Sequence, residues 1–363
     1  MPTVDRLLFR ELIGPLVFGA ASFTTLLFAG SYLGRLTELL VQGVPADIVL
    51  QLFLLYLPGA VVLTLPMSVL LAVLLSFSRL SSDSEIIALQ AGGVSLWRLM
   101  RPVAVIAVAV TLLSYGINEW IAPQSQRQSV ALRERALGET SAIERPFIIS
   151  DLQEGSYNAI VIANGGLNPE TKELRRVTIL TGFTEEGPQV FFYAARAKWE
   201  GGSDWRLYQG TMKNLSSGRV NTVLFDEWTT QTVKINRSPD QIVEEQRKAA
   251  EMTFAELARQ ISRKKELNEE TRSLEVDLYN KVAVPLASLV FAIIAAPLGL
   301  RPHRGGSAVG FGLSIGLIFA YWMVWQYSSA LAKSGSISPL AGSFMANILF
   351  LAVGAYLMMR ASR

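Results

Sequence analysis

Apolar residues dominate six windows, at about 12–33, 48–75, 103–122, 282–300, 308–332 and 339–359. Each approaches the roughly 20 helical residues needed to cross a hydrocarbon core. The pattern predicts six transmembrane helices, three on either side of a long polar insert. The first window is too long for a signal-peptide h-region, and Gly14-Pro15 comes early in it, so it reads as a retained span. The second, "IVLQLFLLYLPGAVVLTLPMSVLLAVLL", carries Pro58 and Pro66 in its interior. Both predict kinks, and the carbonyls they free must be satisfied by neighbouring helices.

Between the third and fourth windows the period changes. "RPFIIS", "YNAIVIANGG", "RRVTILTGF", "PQVFFYAARAKW", "DWRLYQGTM" and "VNTVLFDEWTTQTVKI" are short runs rich in β-formers, separated by Gly, Asn, Asp and Pro. They predict an all-β insert, a sandwich or jelly roll. Helical stretches at 126–138 and 252–267 flank it, the second opened by a Thr253/Glu256 capping box. The predicted organisation is 1–122 for spans 1 to 3, 123–275 for the β insert with its flanking helices, and 276–363 for spans 4 to 6.

One polar stretch inside the first half stands apart. "SSDSEIIALQAGGVSLWRLMRP", residues 81–102, is too polar to cross a membrane yet has helix signals. Ser82 and Glu85 fit a capping box, and Gly92-Gly93 fits a helix stop, which predicts a short helix near 83–93. Ile86 and Leu89, with Ile87 and Ala91, give it a broad apolar surface. Such a helix either lies on the lipid surface or receives a partner that pushes on the two spans holding it.

Charge sets the orientation. Arg6, Arg10, Arg79, Arg98, Arg101, Arg301, His303, Arg304, Arg360 and Arg363 fall on one side of the predicted spans. The opposite short loops hold only Arg35, offset by Glu38 and Asp47, and Lys333. The positive-inside rule then predicts cytoplasmic termini and an insert on the far side. Half of the 363 residues are hydrophobic, and the net charge of +3 reflects topology rather than nucleic-acid binding. With no cysteine and a single histidine, disulfides, thiol nucleophiles, Ser-His pairs in the insert and His or Cys metal sites are excluded. The central parts of all six windows carry no Asp, Glu, Lys, Arg or His, which argues against ion coupling. No Walker A sequence occurs, so work done by this chain draws on a partner.

Three stretches together resemble the LptF/LptG (YjgP/YjgQ) family, the permease subunits of the lipopolysaccharide-export ABC transporter. They are "SDSEIIALQAGGVSLWRLMRP", "NEWIAPQSQ" at 118–126, and "LYNKVAVPLASLVFAIIAAPLGLRPHRGG" at 278–306. Their order matches along essentially the whole chain. The resemblance implies a β-jellyroll insert in the periplasm, an inner-membrane location and a function in lipopolysaccharide export. The partners it implies are a cytoplasmic ABC ATPase dimer carrying ATP and Mg, a second permease subunit (related or identical), a single-span periplasmic jellyroll protein and a soluble bridge protein.

The same resemblance assigns ATPase coupling to Asp83, Ser84, Glu85, Ile86, Ile87, Leu89 and Gly92, with Glu85 in the acidic position. It implies a cavity for acyl chains formed by two permease subunits and open sideways between spans 1 and 5, where Phe28, Tyr32, Tyr321 and Trp325 are candidate gate-lining residues. Arg35 and Lys333 are candidates for lipid phosphates. It implies no catalytic residue, metal or cofactor in the chain itself. Two other readings stay open on the sequence: an ABC permease for another lipid or lipoprotein, and a membrane-anchored periplasmic enzyme using Ser-Lys or carboxylate chemistry. The sequence does not distinguish an F-type from a G-type subunit.

Overall fold

The most apolar stretch of the chain is also the most buried. In the computed structural model, helix α3 (Ala46–Ser82) has 83% of its span window buried, and α9 (Arg272–Gly299) has 72%. The structure describes residues 3–137, 146–153, 156–168, 171–184, 187–216, 219–229, 235, 237–266, 269–300 and 306–361. Residues 301–304 and 363, whose charges entered the orientation argument, lie outside this set.

All six expected spans are present, three before and three after the insert. Span 1 joins α1 (Thr3–Phe28) to α2 (Gly34–Val41) through a π-helical turn, Ala29–Leu33. Span 2 is α3. The short helix α4 (Glu85–Ala91) leads to α5 (Leu96–Gly116), which passes through a second π turn, Ile117–Ile121, into α6 (Ala122–Leu137). Spans 4 to 6 are α9, α10 (Gly306–Lys333) and α11 (Pro339–Ala361). Helices α1, α5, α9 and α10 pack on α3, and α11 packs on α9 and α10. Small residues permit the close approaches: a Cβ added at Gly19 would sit 3.2 Å from the Ser68 Cα, and one at Gly299 would overlap Phe77.

Proline shapes this bundle through the bonds it deletes. A proline cannot donate to the carbonyl four residues earlier, and a freed carbonyl packed away from water needs another donor. Pro15 frees Glu11, whose carbonyl accepts Ser76 Oγ from span 2 at 2.9 Å. Pro66 frees Val62, which accepts Ser114 Oγ from span 3 at 3.3 Å. Pro285 frees Lys281, which accepts Asn118 Nδ2 from the π turn at 3.0 Å. Each of these three breaks is thereby converted into a bond between helices.

The insert forms a second unit, residues 133–248 with 259–271. Its strands are β1 (Phe147–Gln153), β2 (Ser156–Ala163), β3 (Leu167–Asn168), β4 (Glu173–Thr184), β5 (Gly187–Gly201), β6 (Asp204–Ser216) and β7 (Arg219–Thr229). They make one antiparallel sheet in the order β1-β2-β4-β5-β6-β7, with the short β3 beside β4. The all-β expectation holds. The described strands do not display the expected jelly-roll crossovers between two sheets: sequential neighbours pair as a meander. Ala159, Val161, Ile179, Phe192 and Trp205 face one core. Helix α7 (Pro239–Glu245) adds to the expected elements; its Ser238 cap and Gln241 exchange the two bonds of a capping box. Beside it, Trp205 Nε1 donates to the Arg237 carbonyl at 3.1 Å, and the buried Arg237 guanidinium binds Glu245 at 2.8 Å and Glu269 at 3.1 Å. Helix α8 (Phe254–Glu266) leads back toward span 4.

Replacing Asn118 with Leu strands the Lys281 carbonyl, for a loss of about 1–3 kcal/mol. The variant is expected to melt several degrees lower than wild type in detergent, whereas the exposed Ser334→Ala leaves the midpoint unchanged.

Candidate functional site

Helix α4 is held between two very short connections. Helix α3 runs through Ser82, whose hydroxyl donates to the Arg79 carbonyl, so Ser82 does not cap α4. Only Asp83 and Ser84 separate the two helices, and Ser84 turns the chain in the left-handed region at φ 60°. The expected Ser82/Glu85 capping box is therefore absent, because burial of Leu80 on the core carries α3 too far for it. At the other end Gly93 takes φ 82°, with Gly93 N–H on Gln90 and Val94 N–H on Leu89. These two bonds form the expected glycine stop.

The helix has an inward and an outward face. Ile86 is 3% exposed and joins the membrane-unit core, where Leu89 and Val94 pack against it. Ile86 and Leu89 therefore anchor the helix and are not part of its free surface. Glu85, Ile87, Ala88 and Ala91 are exposed, Ile87 by 58%. Glu85 has no hydrogen-bond or ion-pair partner among the described residues, while Asp83 lies 3.8 Å from Arg79. Arg79 in turn binds Glu11 of span 1 at 2.9 Å. The site is a carboxylate beside an apolar patch, fixed to the most buried span by a two-residue turn.

The far end of the bundle redistributes the other candidates. Phe28 is buried, stacked on Tyr32 and tilted against Phe53 of span 2, and Tyr32 stacks on Tyr56. Tyr321 is 3% exposed; its hydroxyl donates to Asn347 Oδ1 at 2.8 Å, and Asn347 Nδ2 donates to the Ala283 carbonyl at 2.8 Å. Trp325 Nε1 donates to Asn280 Oδ1 at 3.1 Å, and Lys333 Nζ binds Asp277 at 2.7 Å. Residues 277, 280 and 283 all lie on span 4, so span 5 is joined to it by two direct polar rungs and by a third through Asn347 of span 6. Phe28 and Tyr321 are thus packing residues, and Trp325 and Lys333 are engaged by span 4. Arg35 is exposed and has no hydrogen-bond or ion-pair partner among the described residues. Spans 1 and 5 nevertheless have the lowest burial, 22% and 17%, with Phe18, Leu26, Phe319 and Tyr327 facing out.

A polar joint lies where two of the sequence motifs meet, which their separation along the chain conceals. The π turn presents Asn118 to span 4 and Glu119 to the start of α8, where its carboxylate accepts Phe254 N–H at 2.8 and 3.0 Å. A π turn widens the helix by one residue and re-aims its side chains. Thr253 and Glu256 form the expected capping box at 2.8 and 3.2 Å, and Arg127 binds both Glu256 and the Glu251 carbonyl. Lys281 is buried in the same electrostatic surroundings, with Glu119, Glu256 and Asp277. Burial pushes the Glu256 carboxyl up, but the Thr253 N–H, Arg127 and the Thr253 hydroxyl outweigh it and hold it below the ordinary range.

A family model described as "Lipopolysaccharide export system permease LptF/LptG" matches residues 6–360. Lipopolysaccharide export system permease protein LptG of Escherichia coli strain K12 is 24% identical over 313 residues, covering 85% of this chain and 84% of that protein. The protein of the same name from Haemophilus influenzae is 21% identical over 303 residues, 81% of each chain.

Because the folded-state pKa of Glu256 lies below its unfolded value, its contribution to stability is present near neutral pH and is lost as pH falls through the folded pKa. Thermal melts from pH 7 down to 4 are expected to show a steeper loss for wild type than for Glu256→Gln, which starts lower and varies less.

Proposed function

The chain belongs to the LptF/LptG family of lipopolysaccharide export permeases, and on that premise we propose how it works within such a machine. It is a multi-pass subunit of the bacterial inner membrane with both termini in the cytoplasm and the β insert in the periplasm. A cytoplasmic ATPase dimer, with ATP and Mg, seats α4 in a surface groove. A second permease subunit completes a cavity for the acyl chains of lipopolysaccharide. The cargo leaves toward a periplasmic β bridge.

The observation that carries this reading is the two-faced α4. Ile86 and Leu89 clamp it to the core, leaving Glu85 and Ile87 exposed for a partner. Since Glu85 caps nothing, its charge is available to a basic residue on the ATPase. The link of Asp83 and Ser84 leaves little slack, so displacement of α4 is passed to α3 and from there to the helices packed on it. Cargo recognition fits the low burial of spans 1 and 5, whose outward apolar residues suit acyl chains, and the exposed Arg35 suits a phosphate. Lys333 contributes to phosphate binding only if its pairing with Asp277 opens. Among the described strands, β7 has a neighbour on one side only, and Val223 and Leu224 on it are exposed. That edge supports docking to another β protein by strand addition.

Glu85→Ala is expected to weaken ATPase association by about tenfold or more, the loss typical of a desolvated charge pair. The α4 helix itself should stay folded, since no cap bond is removed; wild-type association and export would refute the docking. Arg35→Glu is expected to reduce crosslinking of lipopolysaccharide to span 1 severalfold in reconstituted complexes. Unchanged crosslinking would make Arg35 an interfacial anchor.

A further inference from the structure

A groove remains that neither the coupling helix nor the cargo face uses. It lies between α5, α9 and α11 and has a volume of about 420 Å³. Met100 and Ala104 of α5, Ile293 of α9, and Leu351, Ala355 and Met358 of α11 line it. Trp97 and Arg101, both exposed and in the first two turns of α5, complete the lining. Small side chains make the space, while Gly354 brings α11 so near α9 that an added Cβ would lie 3.1 Å from Ile293 and Ile294. Methionine-rich linings adapt to a flexible apolar occupant.

The groove's depth can be read from the helices. From Trp97 to Ala104 is a rise of seven steps, and from Leu351 to Met359, the last lining residue of α11, one of eight. At 1.5 Å per residue, each stretch covers about 10–12 Å, most of one leaflet of a roughly 30 Å core. All three helices place it at the end where the termini and α4 lie, since α5 begins, and α9 and α11 end, there. Arg98, Arg101 and Arg360 are exposed at that end and have no ion-pair partner among the described residues. An apolar slot that covers most of one leaflet, lined in part by an indole and accompanied by guanidinium groups without ion-pair partners among the described residues, suits a lipid with an anionic headgroup.

We propose that this groove binds one acyl chain of an anionic phospholipid of the cytoplasmic leaflet, with Arg101 holding the headgroup phosphate. The leaflet assignment rests on the orientation proposed above. Such a lipid would occupy the side of span 3 that continues from α4, so its binding would steady the segment that receives the push. It differs from the export cargo in leaflet, in helices and in the residues that hold it.

The test uses the full chain with its copurifying partners in phosphatidylethanolamine nanodiscs. Each preparation is doped with a phosphatidylglycerol or phosphatidylethanolamine probe carrying a photoreactive acyl chain. The expected result is capture on peptides containing Met100 and Met358, with the glycerol probe preferred. Arg101→Gln should reduce that preference about fivefold, the effect of one basic group near the surface. Ala355→Phe should abolish capture of both probes, and Ala104→Phe, on a different helix, repeats that arm. Equal capture of the two headgroups in wild type, or capture unchanged by Arg101→Gln, would overturn the proposal. So would capture by the isolated chain that disappears in the complex, which would make the groove a subunit interface. Because the chain has no cysteine, Arg98→Cys gives a separate readout of orientation by impermeant thiol labelling. Labelling only from the periplasm would overturn the leaflet assignment and the orientation together, whereas loss of headgroup preference alone would leave the orientation standing.

Discussion

A backbone carbonyl released by proline and packed away from water must find a donor in the protein, and this requirement organises the membrane unit. Pro15, Pro66 and Pro285 each open one place in a helical ladder, and Ser76, Ser114 and Asn118 each close it from another helix. The three closures tie span 1 to span 2, span 2 to span 3 and span 3 to span 4. The rungs from Asp277, Asn280 and Asn347 then tie span 5 to spans 4 and 6. Apolar packing alone distinguishes poorly between one neighbour and another in lipid, because the tails are as apolar as the side chains. These few directional bonds therefore select the arrangement.

That frame explains where force can enter and where cargo can lie. Helices α3 and α9 are gripped from several sides, while spans 1 and 5 keep broad faces open. Helix α4 joins α3 without slack and carries an unspent carboxylate. At the other end, Glu119 and Glu256 close the N-terminus of α8 and Arg127 locks its capping box. The returning chain is thus fixed at the joint where spans 3 and 4 exchange their bond. A permease moved by a partner needs these properties together: a stiff interior, a firm point of contact and an open apolar side.

Much of this is legible in the sequence, and the departures share a cause. The six spans, the 3+3 division, the all-β insert, the Thr253/Glu256 cap and the Gly92-Gly93 stop all depend on local pattern, which a sequence displays. The helix cap at Ser82 is absent because tertiary packing of Leu80 prolongs α3. The meander of the described strands is not foreseeable from alternation, which reveals strands but not which strand lies beside which. In spans hydrophobic all round, periodicity does not tell a lipid-facing aromatic from a packed one, so Phe28 and Tyr321 pack inside where the sequence suggests a cavity lining. Helix α7 is within reach: Ser238, Pro239 and Gln241 carry its signature. The π turns leave no such mark, although the proline-bearing motif after Asn118 lies directly on one.

The coupling proposed for α4 requires that its outward face meet a cytoplasmic ATPase. The most direct test places a photoreactive residue at Ile87 in native membranes and identifies what it captures, with exposed Tyr356 on span 6 as the comparison. An ATPase adduct is expected from position 87 and lipid alone from position 356. Lipid alone from both positions would place α4 on the membrane surface and contradict the coupling mechanism.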